Sequence, residues 1–418
     1  MSKQPKIISL YSGAGGLDYG FEAAGFDTAV AVEFDKQCCE TLRRNRRSWR
    51  VVERSIFDVP TKEILKLGAL KRAEVDLVIG GPPCQPFSKS AYWVKGDTSR
   101  LDDPRADTLA AYMQVIEEAL PKAFLLENVG GLAFSGKDEG LKLLLDKIER
   151  INKKTKSNYV PYYQIVNAAN YGVPQLRERF ILVASREGLP FNFPSPTHGE
   201  PQPDLPLFPM KSSSVKLLPY RTAWDAIADV RPALGEKLSV QGKWAALLPS
   251  IPEGQNYLFH TDRGGGVPLF GWRRRYWQFL LKLAKNRPSW TIQAQPGSSI
   301  GPFHWENRRL SAQELCRLQT IPDDIVITGG RVEVQRQIGN AVPSLLAEVL
   351  ARAIRTQLLE LSPETGALKL MPPDRSPAPP PNKVEPVPDQ YLHLKGDHAP
   401  HPGTGKGEAA LARARKSA

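Results

Sequence analysis

Apolar and polar positions along the first 186 residues switch repeatedly between two periods. Five runs are short, apolar and rich in β-branched residues: KIISLYS, TAVAVEF, VDLVIGG, AFLLENV and ERFILVA. Long amphipathic stretches such as GLKLLLDKIERI separate several of them. Short apolar runs suit buried strands, and a 3.6-residue apolar period suits helices. The alternation predicts an α/β fold: a mostly parallel sheet with helices on both faces. Ligands of such sheets bind outside the carboxyl ends of the strands.

From residue 187 to 305 the pattern breaks. Pro, Gly and Trp are frequent and long periodic stretches are few. FPSPTHGEPQPDLPLFP predicts an irregular connection, and WRRRYWQFLLKLAKN predicts one basic amphipathic helix. Helical periodicity returns in RRLSAQELCRLQTIP, where Ser311 and Glu314 have capping-box spacing and Pro322 follows the end. VPSLLAEVLARAIRTQLLEL predicts a last helix. Beyond about Ser362 the chain is Pro-rich, then Gly/Lys/Ala-rich, a composition that predicts no fixed structure.

The 418 residues suffice for two domains of ordinary size. No apolar run reaches the ~18 residues of a membrane span, and MSKQPKIISLYSGAGG has no signal-peptide pattern, so a cytoplasmic protein is expected. Of the four cysteines, Cys38 and Cys39 are adjacent, and Cys84 and Cys316 stand alone. Without a CxxC pair, neither a zinc site nor a redox motif is supported, and no metal is expected. Net charge is +12. Between Glu187 and Arg309 there are 15 Lys/Arg against 9 Asp/Glu, so half the excess falls in under a third of the chain. A basic concentration of this kind favours a polyanionic partner.

Candidate chemistry follows the strand ends. The first strand runs into Tyr11-Ser12-Gly13-Ala14-Gly15-Gly16-Leu17 and then a helix. Glycines there permit a sharp turn and close approach to a ligand. Alone, the turn fits a dinucleotide, S-adenosylmethionine, or merely a tight connection. Glu33 ends the second strand, where a carboxylate can accept from ribose hydroxyls. Asp58, in SIFDV after a third short strand, can accept from an adenine amino group or cap a helix. Together these favour an adenosine-containing cofactor without choosing one.

VDLVIGG leads into Pro82-Pro83-Cys84-Gln85-Pro86-Phe87-Ser88, which places a thiol between prolines just past a strand. AFLLENV ends at Glu127-Asn128-Val129. YGVPQLRERF offers Arg177 and Arg179 at alternate positions, on one face if that stretch is extended. Each residue alone has a bland reading as core or surface. Thiol, acid and guanidinium converging on one cleft make a nucleophilic site.

At this point the chain resembles the DNA cytosine-5 methyltransferase family, over residues 1–186 and 307–355. YSGAGGLDYGF is similar to the family's cofactor loop, GGPPCQPFS to its Pro-Cys motif, LLENV to Glu-Asn-Val, and YGVPQLRERFILVA to Gln-x-Arg-x-Arg. RRLSAQELCRLQTIPD and QIGNAVPSLLAEVL are similar to the two motifs that follow the recognition region. The order agrees throughout, and the three middle motifs are highly specific. Tyr11 stands where the family often has Phe, keeping an aromatic face.

The resemblance implies a Rossmann-like catalytic domain over 1–186 that binds S-adenosyl-L-methionine. It implies a target-recognition domain over 187–330, a helix over 331–360 returning to the catalytic domain, and a tail, 361–418, without fixed structure. Implied cofactor contacts are Tyr11 through Leu17 (Ser12, Gly13, Ala14, Gly15 and Gly16 between them), Glu33, Phe34, Asp58, Val59, Pro83, Leu109, Asn340, Ala341 and Val342. The implied catalytic residues are Cys84, adding to C6 of cytosine; Glu127, at N3 and the exocyclic amine; and Arg179 with Arg177, at O2. No metal is required. The target base must leave the stack to be reached.

Double-stranded DNA is the implied partner, with a cognate restriction endonuclease as a functional one, and a monomer is expected. Ser88–Arg105 is read as a loop closing on DNA, with Lys89, Lys95 and Arg100 near phosphates and Gln85 and Ser88 as further DNA contacts. Arg273, Arg274, Arg275 and Lys282 are expected at phosphates, and Gln293 and Gln295 at base edges. Three other readings stay open on sequence: an RNA cytosine-5 methyltransferase, a non-catalytic DNA-binding protein, and a nicotinamide-linked oxidoreductase. The long irregular insert favours DNA. The intact catalytic positions and the unexplained Pro-Cys and Gln-x-Arg-x-Arg motifs weigh against the other two.

Overall fold

The computed structural model describes residues 4–83, 107–133, 139–200, 217–272 and 276–396. In chain order its main elements are β1 (Lys6–Leu10), α1 (Gly16–Ala23), β2 (Asp27–Glu33), α2 (Lys36–Asn45), β3 (Arg50–Glu53), α3 (Thr61–Leu67) and β4 (Leu77–Gly80). Then come α4 (Asp107–Ala119), β5 (Ala123–Val129), α5 (Glu139–Thr155), β6 (Tyr162–Asn167), β7 (Gln175–Leu176) and β8 (Glu178–Ser185). The second half contributes α6 (Ala223–Ile227), α7 (Ala312–Leu318), α8 (Arg331–Asn340) and α9 (Ser344–Gln357).

Seven strands form one sheet in the order β3-β2-β1-β4-β5-β8-β6. β1 to β5 run parallel, and β8 lies antiparallel between β5 and β6. The near-continuous apolar runs follow from burial on both faces. Alternate residues feed two cores: Ile8, Val78 and Phe124 pack with α3, α4 and α5, while Ile7, Ile79 and Leu125 pack with α1 and α9. β6 was not expected from sequence. It is an edge strand in which Val166 alone is fully buried, so it carries no apolar run.

α1 seats on α9 at unusually short range. A Cβ at Gly20 would come within 2.3 Å of the Ser344 carbonyl and 2.4 Å of Ala347 Cβ. Gly16 makes the matching approach to Val342, so both glycines are fixed by neighbours some 325 residues away.

The irregular half has two cores of its own. One joins α6, α7 and α8 to Tyr19, Leu42 and Trp49 of the sheet domain. α7 begins with the expected capping box, Ser311 and Glu314 answering each other's backbone. The other core gathers Leu247, Ile251, Tyr257, Leu280 and Phe303. No helix among the described residues is long and apolar enough to cross a membrane.

Two expectations are corrected. The described part of WRRRYWQFLLKLAKN, Trp272 and Tyr276 onward, forms no α-helix. Leu280 has φ 54°, and Phe279 and Lys282 make single bridges to Ile300 and Phe303. Four consecutive residues, Leu280 to Leu283, are all buried, which spans most of a helix circumference and excludes a one-faced surface helix. The tail expectation fails over 361–396. Its Met371 packs against the sheet domain's core and its Tyr391, 3% exposed, enters the fourth core. Pro-rich chain lies against a surface without forming a core of its own, so composition alone misreads it. Residues 397–418 lie outside the described residues.

Candidate active site

The cofactor end is assembled at the carboxyl ends of β1 and β2. Tyr11 adopts φ 54° and its hydroxyl donates to the Thr108 carbonyl at 2.8 Å, tying the loop to α4. Ser12 is buried and its Oγ lies 2.8 Å from Ser9 Oγ. Gly15, at φ 87°, caps α1 in the left-handed region that favours glycine. Glu33 faces this turn: Gly13 N–H donates to Oε2, and Phe34 and Asp35 N–H donate to Oε1, all at 2.8 Å. Burial pushes its carboxyl up, and these three donors oppose the shift. A carboxylate has about four acceptor positions, so about one remains for a hydroxyl.

Around this carboxylate, Phe34 presents an aromatic side chain that is 66% exposed. Space beside Gly13 is open: a Cβ there would meet nothing within 4 Å. Asp58 is exposed, while Val59, Leu109, Ala14 and Leu17 are buried beneath the surface. Ala341 and Val342 close against Gly16, with Asn340 exposed beside them. A ribose acceptor, an open aromatic face and an apolar floor around an open turn fit an adenosine-type cofactor. Phe57, next to Asp58, is 58% exposed and was not singled out from sequence. Only its exposure in the folded chain marks it.

The chemical end lies at the neighbouring strand ends, since Gly80 of β4 pairs with Leu126 of β5. The turn after β4 is held from two sides. Asn128 Nδ2 donates to the Pro82 carbonyl at 3.2 Å, and Thr108 Oγ1 donates to the Pro83 carbonyl at 3.1 Å. Glu127 reaches over Gly81, where a Cβ would sit 2.7 Å from its Oε2. Arg179 Nε lies 2.7 Å from Glu127 Oε1, both side chains 12% exposed. Burial raises the Glu127 carboxyl above the usual range, and the Arg179 and Arg177 charges pull it back. Cys84 follows Pro83 directly, and it lies outside the described residues, as do Gln85, Ser88, Lys89, Lys95, Arg100, Arg273, Arg274 and Arg275.

Arg177 departs from expectation. It is 1% exposed and points into the protein. Its Nη2 donates to the Gly339 and Ala341 carbonyls at 2.6 and 3.0 Å, and its Nη1 to the Ile292 carbonyl at 3.2 Å. Its guanidinium therefore braces backbone, and Arg179 is the arginine paired with Glu127. Alternation does not keep the two on one face, because β7 ends at Leu176 and a new strand begins at Glu178.

Gln175 and Gln319 complete the same brace. Gln175 Nε2 donates to Gln319 Oε1 at 3.0 Å, and Gln319 Nε2 donates to the Ile338 carbonyl at 2.7 Å. The sequence reading gave Gln319 no role. The signal lay in a polar residue inside the apolar run LCRLQTI, which must find partners if buried.

In the region expected from sequence to read DNA, Gln293 and Gln295 are exposed next to this brace, with Ala294 packed against Gly339. Lys282 is 4% exposed, and burial lowers it to about 8, so it does not sit on a phosphate-facing surface. Exposed aromatics occupy that region instead. Trp272 stacks under Arg263 at 4.4 Å, and Trp277, 42% exposed, meets Trp290 edge-on at 5.5 Å. Trp290 pairs with Leu176, one residue before Arg177, which places the aromatic group beside the catalytic strands.

Comparison with known proteins agrees with this geometry. The sequence profile described as C-5 cytosine-specific DNA methylase matches residues 5–356. The chain is 41% identical over 381 residues to the type II methyltransferase M.SacI of Streptomyces achromogenes, covering 86% of this chain and 94% of that protein. It is 33% identical over 359 residues to the type II methyltransferase M.NgoFVII of Neisseria gonorrhoeae, covering 84% and 87%. In fold it is similar to a Spodoptera frugiperda DNMT2 variant (TM-score 0.57, 15% identity, 84% of this chain and 99% of that one). It is also similar to Entamoeba histolytica methyltransferase EhMeth (TM-score 0.54, 16% identity, 85% and 99%).

Proposed function

The chain belongs to the C-5 cytosine-specific DNA methylase family, and from that premise we propose how its own residues carry the reaction. It methylates carbon 5 of cytosine in DNA and uses S-adenosylmethionine. When bound, that cofactor supplies the electrophilic methyl group. Phe34 offers a face to its adenine, Glu33 an acceptor to its ribose, Asp58 an acceptor to the amino group, and the turn 11–17 with 340–342 closes around the rest.

Cytosine C5 is a weak nucleophile. Addition of the Cys84 thiolate to C6 makes C5 enamine-like, and the thiol must lose its proton first. Glu127 accepts from the exocyclic amine and delivers a proton to N3 as sulfur adds. Burial raises this carboxyl, which favours its protonated form. Arg179 donates to O2 and offsets negative charge developing on the ring. After C5 is methylated, the C5 proton passes to a water base, N3 returns its proton to the Glu127 carboxylate, and the Cys84 sulfur departs as thiolate, which restores the aromatic ring. Arg177 and Gln175 hold the surrounding backbone rather than the base.

The substrate is read as a duplex whose target cytosine is flipped out, at a cost of a few kcal/mol. Residues 187–330 serve as the recognition region, with Gln293 and Gln295 toward the bases. The similar proteins are named type II methyltransferases of bacteria, which supports a bacterial modification enzyme; we read it as a cytoplasmic monomer working alongside a restriction endonuclease. The observation that carries the residue roles is the Glu127–Arg179 pair beside the turn leading to Cys84. A duplex with 5-fluorocytosine at the target position tests it. With S-adenosylmethionine present, the chain is expected to form a covalent adduct stable to denaturation, and Cys84→Ser none. An adduct with Cys84→Ser would remove the assigned nucleophile.

A further inference from the structure

We propose that residues 361–396 form a positioning strap that fixes the recognition wall against the catalytic sheet, and through it sets the enzyme's hold on DNA. The family match ends at residue 356, so the strap lies beyond the shared domain. The proposal rests on the reading that residues 245–310 face DNA.

Its contacts run from the sheet to the wall in chain order. On α9, the fully buried Glu348 accepts from Lys369 N–H and Leu370 N–H at 2.8 and 2.9 Å. At α6, Arg375 N–H donates to Asp225 Oδ1 at 2.7 Å, and its guanidinium lies 2.8 Å from Asp229. Farther on, Asn382 N–H donates to Glu253 Oε1 at 2.8 Å, and Asn382 Oδ1 accepts from Lys285 Nζ at 2.8 Å. Glu253 and Lys285 are an ion pair with side chains 4% and 6% exposed. At the end, Tyr391 stacks on Trp244 at 5.6 Å, and its hydroxyl donates to the Lys243 carbonyl at 2.8 Å.

Two features argue for positioning rather than a passive wrap. The wall's core is incomplete without the strap, because Tyr391 is one of its buried members and Val387 and Leu394 pack against it. A buried ion pair also needs its remaining donors and acceptors met, and Asn382 meets them on both partners. The wall's attachments to the rest of the molecule gather in its later part: Ser289–Trp290 pairs with β7, Ile292 accepts from Arg177, Arg308 pairs with Glu314, and Leu283, Ile292 and Trp305 join the third core. Its earlier part, with Leu247, Ile251 and Tyr257, belongs to the fourth core, where Tyr391 of the strap is a buried member. The strap gives that earlier part a separate set of attachments, so the distance from the wall to Glu127 and Arg179 is held.

The test uses the full chain with two changes: Arg375→Ala combined with Asn382→Ala, and Tyr391→Ala with Tyr391→Phe as its conservative partner. Cofactor affinity is read by calorimetry, and KM for a target duplex and kcat by labelled methyl transfer. Displacing a positioned group by about 1 Å can cost up to about a hundredfold, so a rise in duplex KM of about tenfold is expected. Cofactor affinity should stay within about twofold, and Tyr391→Phe should recover most of the loss. Unchanged duplex KM in both changes would overturn the proposal. So would a fall in cofactor affinity in step with DNA affinity, which would make the strap a general stabiliser. The wall's contact with DNA is checked apart, by Gln293→Ala with Gln295→Ala. If that pair leaves duplex KM unmoved while the strap changes raise it, the base-reading assignment fails and the strap stands.

Discussion

The end we propose for the cofactor and the wall we propose for recognition are held still by different means. At the cofactor end the surface rides on regular elements. Parallel strands buried on both faces carry the turn, Glu33 and Glu127, and α1 locks onto α9 through Gly16 and Gly20. The wall has almost no regular structure. Its 245–310 stretch is held by a small aromatic core, by buried charges such as Lys285–Glu253 and Arg308–Glu314, and by a segment from the far end of the chain. A sheet fixes positions through a repeating ladder and leaves little to any one side chain. An irregular wall depends on a few polar and aromatic contacts, so single changes there should act on DNA handling and spare the cofactor. One residue belongs to both regions: Arg177 donates to Ile292 on the wall and to Gly339 and Ala341 beside the cofactor turn.

That shared brace is where the contrast should break most severely. Arg177→Ala takes a donor from the Ile292, Gly339 and Ala341 carbonyls, of which Ala341 keeps Gln319 Nε2 at 3.3 Å, and each buried acceptor left unsatisfied costs about 1–3 kcal/mol. Thermal unfolding should move down markedly, with cofactor and DNA affinity falling together. Loss of DNA affinity alone would show that the brace serves the wall only.

Glu127→Gln sharpens the chemical side. The variant keeps the shape but cannot release a proton, so kcat should fall about 10²- to 10³-fold while both ligands still bind. Burial raises the Glu127 carboxyl, so its protonated form persists above the ordinary carboxylate range and is lost as pH rises through the folded value. The rate of the unaltered enzyme should therefore decline along that limb as pH rises. The residual rate of Glu127→Gln should not show it. An identical limb in the variant would assign the titration to another group.

The smallest expected effect isolates the regular end. Gly20→Ala forces a methyl to within 2.3 Å of the Ser344 carbonyl, and such overpacking costs about 1–3 kcal/mol. A lower midpoint in denaturant and weaker cofactor binding are expected, with duplex KM little changed at saturating cofactor. Equal weakening toward DNA would mean that the two regions are less separate than their construction suggests.

Legibility in the sequence follows the same division. Five strands, the capped α7 and α9 were readable because each carries its own period or cap within a short window. β6 was not, because an exposed edge strand has little apolar pattern to show. Lys282 reads from sequence as a surface cation, although the structure buries it, since a window containing three arginines and two lysines looks amphipathic whichever way the chain turns. Arg177 and Arg179 look equivalent in RERF. A strand break between them sends one inward and leaves the other paired with Glu127.

By itself, the amino-acid sequence determined the chemistry and the scaffold: a thiol between prolines, an acid and an arginine at strand ends, a glycine turn with an acidic residue beyond it, and the alternation that makes a sheet. These are local, and a few adjacent residues suffice to specify them. Only the tertiary structure decided which arginine meets Glu127, which lysines are buried, and that the Pro-rich segment returns to close the wall. Those outcomes depend on partners far apart in the chain. Whether a polar group faces water or a buried carbonyl is settled by what packs over it, and no local pattern encodes that.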